Sequence, residues 1–185
     1  MKPTFRPTRD QLLAAANKTI PDLIAPNLKV LFCGINPGLY SGATGHHFAR
    51  PGNRFWPALY AGGFSRRLLS PFEKDELLKD GYGITNLVRR TTAAADELTR
   101  DEYVKGAAAL ERKVRKYRPR VVAFLGIGAY REGFARSKAK LGRQPETIGD
   151  AVVWVLPNPS GLNAHFTPNA LGELFRQLKV EADRM

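Results

Sequence analysis

Apolar residues fall along this chain in two rhythms. Short, nearly continuous apolar runs read as strands: LKVLFCGI (Leu28–Ile35), GITNLV (Gly83–Val88), RVVAFLGIG (Arg120–Gly128) and AVVWVLPN (Ala151–Asn158). RVVAFLGIG has the pattern of a strand covered on both faces, as in parallel sheets. Between the runs the spacing is helical. Helices are predicted over Asp10–Asn17, Asn53–Tyr60, Glu73–Lys79, Ala129–Arg136 and Asn169–Ala182. A longer one opens at Thr99, which forms a capping box with Glu102, carries Val104, Leu110 and Val114 near one stripe, and ends before Pro119. Four strands alternating with helices predict an α/β fold with a mainly parallel four-stranded sheet and helices on both faces. Sites in such sheets lie beyond the carboxyl ends of the strands. Here those ends carry GINPG, NLVRRTT, LGIG and LPNPSG.

The length, 185 residues, suits one domain over 1–185, with 1–27 as an N-terminal extension bearing a short helix. The start, MKPTFRPTRDQLL, lacks the apolar stretch of a secretion signal, and no run is long enough to span a membrane. A cytoplasmic monomer, nucleoid-associated if bacterial, is the expectation. The single cysteine, Cys33, excludes an internal disulfide, a multi-cysteine zinc site and a cysteine-ligated cluster. Only three histidines are present, so no metal and no cofactor are expected.

Charge narrows the partner. Lys plus Arg number 29 against 17 Asp plus Glu, a formal +12, which attracts polyanions; DNA is the commonest large one in a cell, with RNA and acidic membranes as competitors. The densest basic run, Arg112 to Arg120, reads as a solvated helix face rather than a contact surface. A phosphate loop of the GxxxxGK[ST] kind is absent after the first strand, against a small-molecule nucleotide enzyme.

GINPGLYSGATGHHFARPGNRFW (Gly34–Trp56) and NPSGLN (Asn158–Asn163) resemble the two motifs of the mismatch-specific uracil-DNA glycosylase and thymine-DNA glycosylase family. Weaker likeness runs through GITNLVRRTT, VVAFLGIGAY and VVWVLPN, covering most of 28–163. The resemblance implies a three-layer sandwich, a monofunctional enzyme and a double-stranded DNA substrate carrying G·U or related mismatches. Thymine and damaged cytosines stand beside uracil as candidate bases. Extruding the base costs a few kcal/mol, least at a mismatch. The enzyme must then place a water at the sugar C1′ and stabilise charge on the leaving base. A catalytically weak or inactive nucleic-acid binder on the same fold is the alternative.

The resemblance makes Asn36 the holder of the water; by itself it reads as a turn asparagine. It makes Phe48 the platform on which the base stacks, against a core phenylalanine. Ile35 lines the base pocket in this family, and the glycine-rich loop with Tyr40 and Ser41 can approach a base edge or phosphate. Asn86 can read a pyrimidine edge or simply end its strand. Leu162 is the wedge that fills the vacated stack, or a leucine packed under its own loop. Gly161 and Asn163 offer backbone groups to the orphaned guanine, and Ser160 can bind a phosphate. Many uracil-DNA glycosylases carry an aspartate in the first motif and a histidine in the second; Asn36 and Asn158 stand here instead. That implies a slower enzyme dependent on leaving-group quality. No lysine sits in either loop, against a lyase step. A basic residue is missing near Ala164, where His165 or Asn163 can substitute. Asp96, in the loop RRTTAAADEL, is either an auxiliary base for the water or a solvated loop aspartate.

Overall fold

The computed structural model describes residues 5–185. Its sheet has five strands, one more than the apolar pattern predicts. They are β1 (Val30–Gly34), β2 (Tyr82–Asn86), β3 (Val121–Leu125), β4 (Gly142–Ile148) and β5 (Ala151–Leu156). In space they run β2-β1-β3-β5-β4, with the first four parallel and β4 antiparallel to β5. The extra strand, GRQPETI, is polar and holds Pro145, so no apolar rhythm marks it. Proline cannot donate to a ladder and is tolerated at edges and bulges. β4 is the edge strand, and its register shifts between Arg143 and Thr147, either side of Pro145.

The continuous apolar runs supply two cores, because successive side chains leave opposite faces of a strand. β1 sends Val30 and Phe32 to one core and Leu31 and Cys33 to the other. The first core is closed by α3 (Phe55–Ala61) and α7 (Pro168–Asp183), through Phe55, Leu59, Leu171 and Phe175. Phe32 sits at its centre, edge-on to Phe55 at 5.5 Å and stacked on Phe175 at 5.9 Å. The second is closed by α5 (Arg100–Tyr117) and α6 (Ile127–Phe134). Helices therefore cover both faces, giving the expected three layers.

α5 opens on the expected capping box: Thr99 N–H donates to Glu102 Oε2 at 3.0 Å, and Glu102 N–H to Thr99 Oγ1 at 3.3 Å. Its inner stripe is Tyr103, Ala107, Leu110 and Val114; Val104 is 49% exposed. One residue is roughly 100° of turn, so Tyr103 and not Val104 shares the face of Ala107. The basic run at the end of α5 leads into the start of β3, the sheet edge opposite the carboxyl ends. Lys113 there pairs with Asp22.

The N-terminal helix is shorter than Asp10–Asn17: α1 covers Arg9–Leu13. The backbone beyond it bonds elsewhere. Asn17 N–H donates to Thr91 O at 3.0 Å, and Thr91 N–H to Lys18 O at 2.9 Å. Leu23 then bridges to Ile84 of β2, and Ala15, Ile20 and Leu23 are buried. The segment is thus built into the fold from residue 8 onward; residues 1–4 of the expected extension lie outside the described residues. A short helix, α2 (Leu39–Thr44), occupies the expected first-motif loop, flanked by Gly38 and by Gly45 at φ +73°. α4 (Lys74–Lys79) follows a 3-10 turn at Pro71–Glu73.

Candidate active site

Beyond the carboxyl ends of β1 and β2 lies a cleft of about 460 Å³. Its walls include Ile35, Asn36, Tyr40, Ser41, Phe48, Asn86, Ser160 and Leu162. Nearly all the residues singled out in the two motifs are thus brought to one place, although they lie up to 127 positions apart in the chain, from Ile35 to Leu162.

Asn36 lies two residues beyond the end of β1. Its Nδ2 donates to Arg90 O at 2.9 Å and to Thr92 Oγ1 at 2.7 Å. Thr92 in turn donates its hydroxyl to Ala94 O at 2.8 Å. A backbone carbonyl can only accept, so Arg90 fixes which end of the amide is nitrogen. Asn36 Oδ1 accepts no hydrogen bond among the described residues and stands at the cleft wall. A carboxylate here would set an oxygen against the Arg90 carbonyl. Arg90 is itself anchored, by Glu102 at 2.7 Å.

Phe48 adopts φ +53°, a conformation that non-glycine residues seldom take. It stacks on Phe55 with ring centroids 4.1 Å apart, and its other surroundings include the cleft. Gly34 makes room: a Cβ there would lie 2.6 Å from Asn86 Oδ1 and 3.1 Å from Phe48 Cζ. Ile35 lines the cleft through its side chain, packed near Gly126, while its carbonyl accepts Val88 N–H at 2.9 Å.

His47, which beside Phe48 in the first motif could touch substrate or DNA, is 2% exposed. Its Nε2 lies 2.8 Å from Pro21 O, which only accepts, so Nε2 carries the proton. Nδ1 is then the acceptor for Asn86 Nδ2 at 3.4 Å. This locks the Asn86 amide with its nitrogen toward His47. Burial lowers the His47 pKa to about 4, against the raising effect of the Pro21 bond. His46, lowered by its own burial, acts in the same direction. Between pH 6.5 and 4 the unfolded chain takes up a proton that folded His47 refuses. Stability is therefore full above pH 6.5 and falls as pH drops toward 4, by about 3 kcal/mol in all. Glu73 and Glu102, held to about 2 by Arg67 and Arg90, lose their contributions in a lower window, below pH 4.5. Thermal melts at pH 7, 5.5 and 4 should show the upper slope, and a His47→Gln variant should flatten it; an equal slope in the variant would move the effect to other groups.

The second motif forms a self-bonded loop. Asn158 Oδ1 accepts Ser160 N–H at 3.0 Å, Ser160 Oγ accepts Leu162 N–H at 3.3 Å, and Asn163 Nδ2 donates to Asn158 O at 3.0 Å. At its tip Leu162 is 79% exposed, more than any other large apolar side chain described. It is not packed under its own loop. Of the backbone groups of Gly161 and Asn163 that the sequence offers to an orphaned guanine, the carbonyls accept from Arg54, at 3.4 and 3.1 Å. Ser160 Oγ already accepts within the loop, which leaves its hydroxyl proton for a phosphate.

Asp96 is not brought into the site. The turn Ala95–Glu97 is closed by Glu97 Oε1 on Ala94 N–H at 2.9 Å. Thr92 to Ala95 face the cleft, while Asp96 is exposed and makes no hydrogen bond or ion pair among those described. A base role for it has no geometric support. In its place, sequence reasoning missed Gly34, Arg54, Thr92 and the orienting role of His47, and also Leu12 and Ile20, which the N-terminal segment adds to the cleft wall. Arg54 and His47 stood within the first motif; nothing in the sequence pointed to Leu12. Among the described residues no cluster of three His, Cys, Asp or Glu side chains could hold a metal ion, and no helix is long and apolar enough to cross a membrane.

Comparison with known proteins bears on the fold and the family. A solution NMR structure from Methanosarcina acetivorans, described as a candidate uracil DNA glycosylase, shares the fold with a TM-score of 0.59. At 20% identity the alignment covers 88% of this chain and 98% of that one, and it speaks to the fold alone. The uracil DNA glycosylase superfamily matches residues 21–179, which hold every strand and both motif loops. By that match the chain belongs to the uracil DNA glycosylase superfamily.

Proposed function

We propose that the protein excises uracil opposite guanine from double-stranded DNA by hydrolysis, leaving an abasic site. Membership of the superfamily supports uracil excision as the general activity. One observation supports the assignment within the cleft: the nitrogen of Asn36 is committed to Arg90 and Thr92, and its oxygen is left to orient a water. In this reading the N1–C1′ bond breaks first, its electron pair going to the uracil ring. The sugar turns oxocarbenium-like, and the water held by Asn36 adds to C1′ and loses its proton to solvent. An amide is a poor base, so the rate rests on positioning and on how well the base carries charge.

The base stacks on Phe48, a contact of about 1–3 kcal/mol. Asn86, turned by His47, presents Oδ1 as an acceptor and keeps one Nδ2 hydrogen. Uracil offers an N3–H donor beside a carbonyl and matches that pair. Cytosine offers an acceptor at N3 and meets it acceptor to acceptor. Leu162 enters the gap left by the flipped nucleotide, and Ser160 contacts a backbone phosphate. Thymine and damaged cytosines stay candidate bases for the same cleft.

The test is a labelled G·U duplex incubated with the protein and then treated with alkali. A break at the uracil is expected. An intact strand despite tight DNA binding would replace this reading with that of a binder without activity. Leu162→Ala should weaken flipping at a mismatch about tenfold or more while changing affinity for matched duplex little. The readout is fluorescence of a 2-aminopurine beside the target; unchanged flipping would remove the wedge.

A further inference from the structure

We infer that Arg54 is a positioning residue that holds the Leu162 loop in its protruding form; the inference rests on the wedge reading above. Arg54 lies directly before α3, at the end of the first motif. Its backbone N–H donates to Pro159 O at 2.9 Å, at the base of the second motif loop. Its guanidinium reaches across that loop. Nη1 donates to Asn163 O at 3.1 Å and to Phe166 O at 2.7 Å, and Nη2 to Gly161 O at 3.4 Å. Among the described residues no carboxylate pairs with it.

The carbonyls it gathers flank Leu162 on both sides. A loop with an apolar tip in water tends to fold that tip inward, because exposed apolar area is unfavourable. Here inward collapse would require Gly161 and Asn163 to release a charged donor. The loop is held from below as well. A Cβ on Gly161 would run into Gly52 O, so the loop backbone rests directly on the backbone of the first motif. Arg54 and Gly52 thus make the first motif the seat of the second. A preformed wedge does not have to be ordered when DNA binds, and the ordering cost of the loop is removed from the flipping step.

A planar fork of five N–H donors reaches these three carbonyls from two nitrogens; a lysine ammonium carries its three donors on one nitrogen and lacks that spread. That difference separates grip from charge. The probe is a duplex with 2-aminopurine next to a 2′-fluorinated uridine opposite guanine, in which the fluorine slows bond cleavage. Flipping is read by fluorescence for wild type, Arg54→Lys, Arg54→Met, Leu162→Ala and the two double variants. Arg54→Lys and Arg54→Met should each lower the flipping equilibrium about tenfold, the size expected for losing hydrogen bonds from a charged donor. In the Leu162→Ala background neither should lower it further, since no wedge is left to hold. Full flipping by Arg54→Lys would reduce Arg54 to a phosphate-attracting charge. Additive losses in the double variants would show that it acts independently of Leu162. Either result overturns the inference and leaves the wedge reading standing. An unaffected Leu162→Ala would take down both.

Discussion

Asn36→Ala is expected to lower single-turnover excision of uracil from a G·U duplex by about a hundred- to a thousandfold, with duplex affinity nearly unchanged. Losses of that size accompany removal of one preorganised polar group from a reacting centre. The side chain has no other visible task toward DNA. Its nitrogen faces Arg90 O and Thr92 Oγ1 inside the protein, and its oxygen faces the cleft. Alanine leaves those two acceptors to water and removes the oxygen proposed to orient the nucleophile. In the proposed reading binding rests on basic side chains and the Leu162 loop, so the variant should separate rate from affinity. Rapid-quench single-turnover assays with enzyme in excess provide the measurement. A rate within a few-fold of wild type would assign the water to another group.

Gly106→Ala is expected to destabilise the protein by about 2 kcal/mol or more, although alanine is the better helix former by roughly 1 kcal/mol. Gly106 lies inside α5, where glycine ordinarily weakens a helix. Its position explains it. A Cβ there would run into Leu87 O and lie 3.0 Å from Leu87 C, both backbone atoms that cannot rotate aside. Leu87 directly follows Asn86 and donates its N–H to Gly34 O at 2.9 Å. Pushing α5 outward therefore strains the turn that carries Asn86 and, four residues on, Arg90. Urea unfolding should show a lower midpoint with an unchanged slope, and G·U cleavage should drop in the same variant. A midpoint equal to or above wild type would mean that α5 does not sit against this backbone.

What could be read from the sequence was whatever repeats or is local. The four parallel strands announced themselves because burial on both faces demands apolar residues at every position, as β1 and β3 show. The capping box of Thr99 and Glu102 is a contact over three residues and needs no tertiary information. β4 was illegible because an edge strand beside a bulge tolerates polar residues and proline. Its pairing with β5 is the only thing that makes it a strand.

The motif loops told which residue types gather, and a cleft does form from Asn36, Phe48, Asn86, Ser160 and Leu162. Which atoms of those residues are free was decided by partners distant in the chain. Asn36 is oriented by Arg90 and Thr92, Asn86 by His47, and His47 by Pro21. The Leu162 loop is seated on Gly52 and Arg54. Asp96, a carboxylate beside the site in sequence, is turned to solvent by a bond that its neighbour Glu97 makes. Sequence by itself determined the four parallel strands, the two loops and the chemical groups they could offer, because apolar periodicity and residue type are local properties. The tertiary structure alone decided the directions those groups face, because an amide, an imidazole or a carbonyl is oriented by whichever partner long-range packing sets against it.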